Sequence, residues 1–213
     1  GEMVRLKSVV VSLDTDDAEL LRRTRRSVSL DVILINVLRL REAAARRGCC
    51  CPRIVASCVV HTQNVMHLDR FVRFALHHHI RGFTFCNLVD YPEVQGVPRA
   101  EHVTTLPREA LAAARLKLLE ARGLAFSKGA TCEIQSGLLD SIDRTLEGGS
   151  AVAVGALQCQ RRHFAALGRG ETRRCLDAWS FALIRADATV RLCCWGPPVG
   201  SLTEAPLEVL LNN

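Results

Sequence analysis

The feature that most constrains this chain is a repeated change of hydrophobic period over its first half. Short apolar runs alternate there with longer amphipathic stretches. "KSVVVSLD" (Lys7 to Asp14) reads as a strand buried in a parallel sheet, with "RIVASCVV" (Arg53 to Val60) and "GFTFCNLV" (Gly82 to Val89) as the second and third strands. Between them, "DDAELLRRTRR" reads as a helix with Asp16 and Asp17 in its first turn, where the helix dipole favours carboxylates. A second helix runs roughly from Leu30 to Arg47 with Val32, Ile35, Leu38 and Leu40 on one side, and Gly48 ends it. "HLDRFVRFALHHH" (His67 to His79) is the next helix. "LPREALAAARLKLLEARG" is another, with Pro107 in its first turn and Gly123 closing it.

Strands and helices of these lengths predict right-handed βαβ units, a parallel sheet with helices packed on it, and an α/β fold. Ligands of such sheets bind outside the carboxyl ends of the strands. The polar residues there are Ser12 and Asp14, His61 and Asn64, and Asn87, with Leu88 beside it.

From about Ser127 glycines become frequent and periodicity weakens, which reads as a linker or irregular subdomain to about Gly170. The expected organisation is therefore 1–126, 127–170 and 171–213. In the last segment "FALIRADATVRLCC" reads as a β-hairpin ending at Cys193, and a Pro-Pro-Val-Gly turn follows. There is no internal repeat.

Composition narrows the function classes. With 213 residues and 48% hydrophobic content the chain can bury a sizeable core. No apolar run reaches the ~18 residues of a membrane helix, so the expected location is cytoplasmic. The formal charge of +6 comes almost wholly from arginine. The one dense basic run is Arg22 to Arg26, and aromatics are 5% of the chain, which argues against a nucleic-acid partner. Ten cysteines are many for a compartment that keeps thiols reduced, and point to metal or cluster ligation. The hairpin would return Cys193 and Cys194 towards Cys175, a convergence suited to a soft metal centre.

The stretch "CLDAWSFALIRADATVRLCCWGPPVGSLTEAPLEVLLN" resembles the start of the SPASM domain of radical S-adenosylmethionine enzymes. Trp179, Asp187, Gly200 and Leu202 match that pattern, and its cysteine-glycine-cysteine spacing runs from Cys175 through Ala188 to Cys193. Ala188, Ser201 and Ala178 replace the family's turn glycine, asparagine and proline. Independently, "VVVSLDTDDAELLRRTRRSVSLDVILINVLRLRE" is similar to the fourth strand and following helix of the radical S-adenosylmethionine barrel. "RIVASCVVHTQNVMHLDRFVRFALHHHIRGFTFCNLVDYPE" is similar to the fifth and sixth strands.

The resemblance implies a partial (β/α) barrel with helices outside the parallel sheet, then a small cysteine domain. It implies S-adenosylmethionine and four-iron four-sulfur clusters as cofactors, a flavodoxin- or ferredoxin-type electron donor, and a peptide or protein substrate. Reductive cleavage would give a 5′-deoxyadenosyl radical that abstracts a substrate hydrogen. Ser12 and Arg25 would contact the ribose or carboxylate of S-adenosylmethionine, and Leu88 its adenine. Cys175 and Cys193, with Cys194 as a substitute, would bind an auxiliary cluster.

The family's catalytic Cys-x3-Cys-x2-Cys loop has no counterpart in this sequence. The expectation is an internal piece of a longer enzyme, inactive alone. Two other readings stand beside it: a non-catalytic peptide-binding relative, and a zinc-stabilised α/β domain using Cys175, Cys193, Cys194 and His163. Cys49 to Cys51 cannot readily converge on one iron cube, and three consecutive histidines, His77 to His79, cannot share a metal.

Overall fold

The computed structural model describes residues 7–25, 28–88, 101–148, 182–184, 188–191 and 198–212. The chain divides into two compact units, Gly1–Gln160 and Arg161–Asn213.

The first unit is an α/β layer structure. Four parallel strands, β1 (Ser8–Ser12), β2 (Arg53–Val60), β3 (Gly82–Asn87) and β4 (Thr131–Ile134), lie in the order β1-β2-β3-β4. Helices α1 (Ala18–Thr24), α2 (Leu30–Arg46), α3 (Leu68–His77) and α4 (Arg108–Ser127) form the crossovers, and α5 (Ser136–Leu146) follows β4. A strand order that follows the sequence, joined by right-handed crossovers, puts every helix on the same face. The burial pattern agrees. Along β2, Ile54, Ala56, Cys58 and Val60 are buried and alternate with half-buried Val55, Ser57 and Val59. Phe83 and Phe85 of β3 point the same way, and Phe71 of α3 meets Phe83 edge-on at 6.1 Å.

The opposite face is polar across its middle. Register aligns Ser12, Ser57, Thr84 and Glu133 in one row across all four strands, and each is half-buried or exposed. Gly82 permits the close approach of β3 to β2. A Cβ there would stand 2.7 Å from Val55 Cγ2.

Several elements differ from expectation. Residues 131–146, expected to be irregular, form β4 and α5, which extend the same sheet and layer. Helix α4 passes through Gly123 and ends after Ser127, where Gly129 takes φ +69°. Of the four α2 residues expected on one side, Val32, Ile35 and Leu38 are exposed and Leu40 is half-buried against the core, while Leu30 and Val37 are buried. This helix is apolar on most of its circumference, so periodicity alone does not choose its buried stripe. Among the described residues no helix is long and apolar enough to cross a membrane.

In the second unit β5 (Leu183–Ile184) pairs antiparallel with β6 (Thr189–Arg191), as the hairpin reading expects. The expected Pro-Pro-Val-Gly turn instead contributes a third antiparallel strand, β7 (Pro198–Ser201), followed by α6 (Leu207–Asn212). Ala188 adopts φ +64°, the left-handed conformation that glycine would take without cost.

Candidate functional site

The carboxyl ends of β1 and β2 carry a knot of polar groups built from two segments far apart in sequence, Asp14 to Arg25 and Val59 to Asn64. Leu13 continues the β1 pairing through its N–H to the Ser57 carbonyl at 3.0 Å. Asp14 is then delivered, 3% exposed, over the end of β2. Asp17 caps α1, its carboxylate accepting the Glu19 and Leu20 N–H groups at 2.9 and 3.0 Å. The two turns of α1 swing Arg25 back to Asp14. Arg25 Nε donates to Asp14 Oδ2 and Nη2 to Oδ1 at 3.0 Å, while Oδ1 also accepts the Val59 N–H at 2.8 Å. Burial acts to lower the Arg25 pKa, but the hydrogen bond and charge of Asp14 outweigh it and hold the guanidinium above its ordinary value.

Asn64, four residues past the end of β2, closes the knot. Its Nδ2 donates to the Asp14 carbonyl at 3.0 Å and the Val59 carbonyl at 2.8 Å, and its Oδ1 accepts the His61 N–H at 2.9 Å. His61 is 4% exposed. Its Nδ1 accepts the Gln63 N–H at 3.3 Å, which assigns the proton of the neutral ring to Nε2. That Nε2 is buried without a hydrogen-bond partner among the described residues. Burial depresses the His61 pKa, with the Arg25 charge acting in the same direction and Asp14 and Glu101 opposing.

Three thiols line the sheet and none is activated. Burial, and then the charge of Asp14, pushes Cys58 well above an ordinary thiol, and its Sγ donates to the Asp14 carbonyl at 3.4 Å. Burial likewise raises Cys86, which lies 3.6 Å from the Ser57 hydroxyl, and raises Cys132 to about 12. All three stay protonated at neutral pH and behave as core residues.

Of the residues expected to bind S-adenosylmethionine, Ser12 and Arg25 come to the same strand end. Ser12 is exposed, in register with Ser57 and two residues before the Arg25 partner, Asp14. Their donors suit a ribose hydroxyl or a carboxylate, since the pair with Asp14 leaves Arg25 Nη1 out of its fork. Leu88 is half-buried just past β3, two strands away. The strand-end residues His61, Asn64 and Asp14 form the framework that holds Arg25. Their partnership was not legible because it depends on where α1 ends. The basic run is divided among internal partners: Arg22 pairs with Glu19, and Arg23 Nη2 donates to Gln63 at 3.1 Å.

Among the described residues no three His, Cys, Asp or Glu side chains are grouped to hold a metal ion. Cys175, Cys193 and Cys194, with Cys159, His163, Trp179 and Asp187, lie outside the described residues.

No family model matches the chain, and no curated protein matches it. The chain aligns with solved structures described as native anSMEcpe with bound AdoMet and Kp18Cys peptide, and native anSMEcpe with bound AdoMet. Each has 15% identity and a TM-score of 0.41 over 97% of this chain. The chain spans about half the length of those chains, 51% and 50%.

Proposed function

We propose that this chain forms part of a radical S-adenosylmethionine enzyme with a SPASM-type domain, acting on a peptide or protein. The observation that carries the reading is the Asp14–Arg25 fork at the end of β1. It holds Arg25, one of the residues that the sequence resemblance assigns to S-adenosylmethionine, at the carboxyl edge of a parallel sheet, by the end of the strand that carries Ser12. Ser12 offers a hydroxyl to the ribose, Arg25 an N–H pair to the carboxylate, and Leu88 an apolar surface to the adenine. When bound, S-adenosylmethionine supplies a carbon radical on reduction, and the chain's own work is to orient it. Cys175 and Cys193, or Cys194 in its place, are the proposed ligands of an auxiliary iron-sulfur centre.

The test is formation of 5′-deoxyadenosine by the iron-reconstituted longer enzyme under strong reductant. A fall of about tenfold in Ser12→Ala, the loss expected for one well-placed hydrogen bond of about 1.4 kcal/mol, supports the reading. Undiminished product in that variant contradicts it.

A further inference from the structure

A second concentration of reactive side chains lies at the other end of the sheet, in the loop from α2 to β2. Helix α2 closes with two crossed capping bonds. The Gly48 N–H donates to the Ala45 carbonyl at 3.0 Å and the Cys49 N–H to the Ala44 carbonyl at 3.0 Å, with Gly48 at φ +62°. Four residues later the Arg53 N–H donates to the Lys7 carbonyl at 3.0 Å and β2 begins. Cys49, Cys50 and Cys51 thus occupy a short bridge whose backbone is pinned at both ends. Cys49 and Cys50 are exposed and Cys51 is half-buried. Each of the outer thiols is turned to a nearby carbonyl, Cys49 Sγ to Arg47 and Cys51 Sγ to Pro52, both at 3.4 Å.

Such thiol contacts are weak, and turning an exposed side chain to a new rotamer is easy. Residues two apart in extended backbone lie at most about 7 Å apart at Cα and present side chains to the same side. Two thiolates on one soft ion stand roughly 4.6 Å apart, twice a metal–sulfur bond of about 2.3 Å. With the Cys49–Cys51 backbone extended, the outer pair can meet that requirement once each thiol leaves its carbonyl, and the middle cysteine falls on the other side. A bis-thiolate complex of a monovalent soft ion carries a net negative charge. Exposed Arg46, Arg47 and Arg53 flank the loop and favour it. Two ligands satisfy a linear soft centre, although they could not hold an iron cube.

We infer that Cys49 and Cys51 form a binding site for a soft, thiophilic monovalent cation of the Cu(I) class. Binding displaces the thiol protons and involves no change of oxidation state.

The test is anaerobic titration of the full chain with Cu(I) against a coloured Cu(I) chelator, in wild type, Cys49→Ser/Cys51→Ser and Cys50→Ser. Because these side chains lie in an exposed loop, all three proteins should share one far-UV circular dichroism spectrum. The double variant is expected to take up one equivalent fewer than wild type, and Cys50→Ser the same as wild type. Equal uptake by the double variant and wild type overturns the site. So does a loss in Cys50→Ser as large as that in the double variant.

Discussion

Arg25 reaches back eleven residues to grip the Asp14 carboxylate with two nitrogens, and the same carboxylate receives the Val59 N–H of the neighbouring strand. One buried acid thereby ties the end of α1 to the ends of β1 and β2. Asp14 stays trapped if its partner is removed, while Arg25, with its side chain 28% exposed, can turn to water. Arg25→Ala is therefore expected to destabilise more than Asp14→Asn. The pair lies between an exposed pair worth about 0–1 kcal/mol and a buried one costing about 3–5 when broken, so the expected loss in Arg25→Ala is about 2 kcal/mol. Urea unfolding of both variants checks the order, and a larger loss in Asp14→Asn would refute it.

His61 makes the fold sensitive to mild acid. Its pKa is depressed in the folded chain, so the unfolded chain binds more protons once the pH falls through the unfolded value of about 6.5. The stability contributed by its neutral form is complete above that pH and lost progressively below it. His78, also depressed by burial, contributes with the same sign. The unfolding free energy of wild type should therefore drop more between pH 7.5 and 5.5 than that of His61→Gln. Parallel curves for the two proteins would remove His61 as a cause.

Gly82 and Val55 are a coupled pair. Adding a Cβ at 82 forces Val55 to move, an overpacking cost of about 1–3 kcal/mol. Val55→Ala removes the clashing methyl and should recover most of that loss in the double variant. Additive losses in the double-mutant cycle would show that the contact is not the cause.

Ala188 is strained in the second unit, at φ +64°. Its carbonyl accepts the Leu202 N–H at 2.9 Å, so the conformation is held by the β7 side of the sheet. Ala188→Gly relieves a left-handed penalty of about 1 kcal/mol and should raise thermal stability. An unchanged or lower melting temperature would contradict this.

The sequence makes β1, β2 and β3 legible because each is a short apolar run, β-branched in β1 and β2 and aromatic in β3, set off from the helical stretches around it. Strand β4 is only Thr131 to Ile134, an edge strand with one buried side chain, Cys132, so no apolar run announces it. In α2, Val32, Ile35 and Leu38 share a face as well spaced as the one that is buried, and only packing decides between them. Ser12 was legible from its place at a strand end, whereas Arg25 was a candidate only through the family resemblance. The roles of Asp14, Asn64 and His61 follow from backbone geometry at the strand ends, to which composition and spacing are blind.

The most direct test of the account is equilibrium dialysis of this chain against S-adenosylmethionine, with wild type and Ser12→Ala side by side. Ser12 is exposed and outside the Asp14 knot, so the substitution leaves the fold intact. The account predicts saturable binding by wild type and about tenfold weaker binding by the variant, the loss of about 1.4 kcal/mol expected for one hydrogen bond. No binding by wild type, or equal binding by both, would contradict the assignment of this strand end to S-adenosylmethionine.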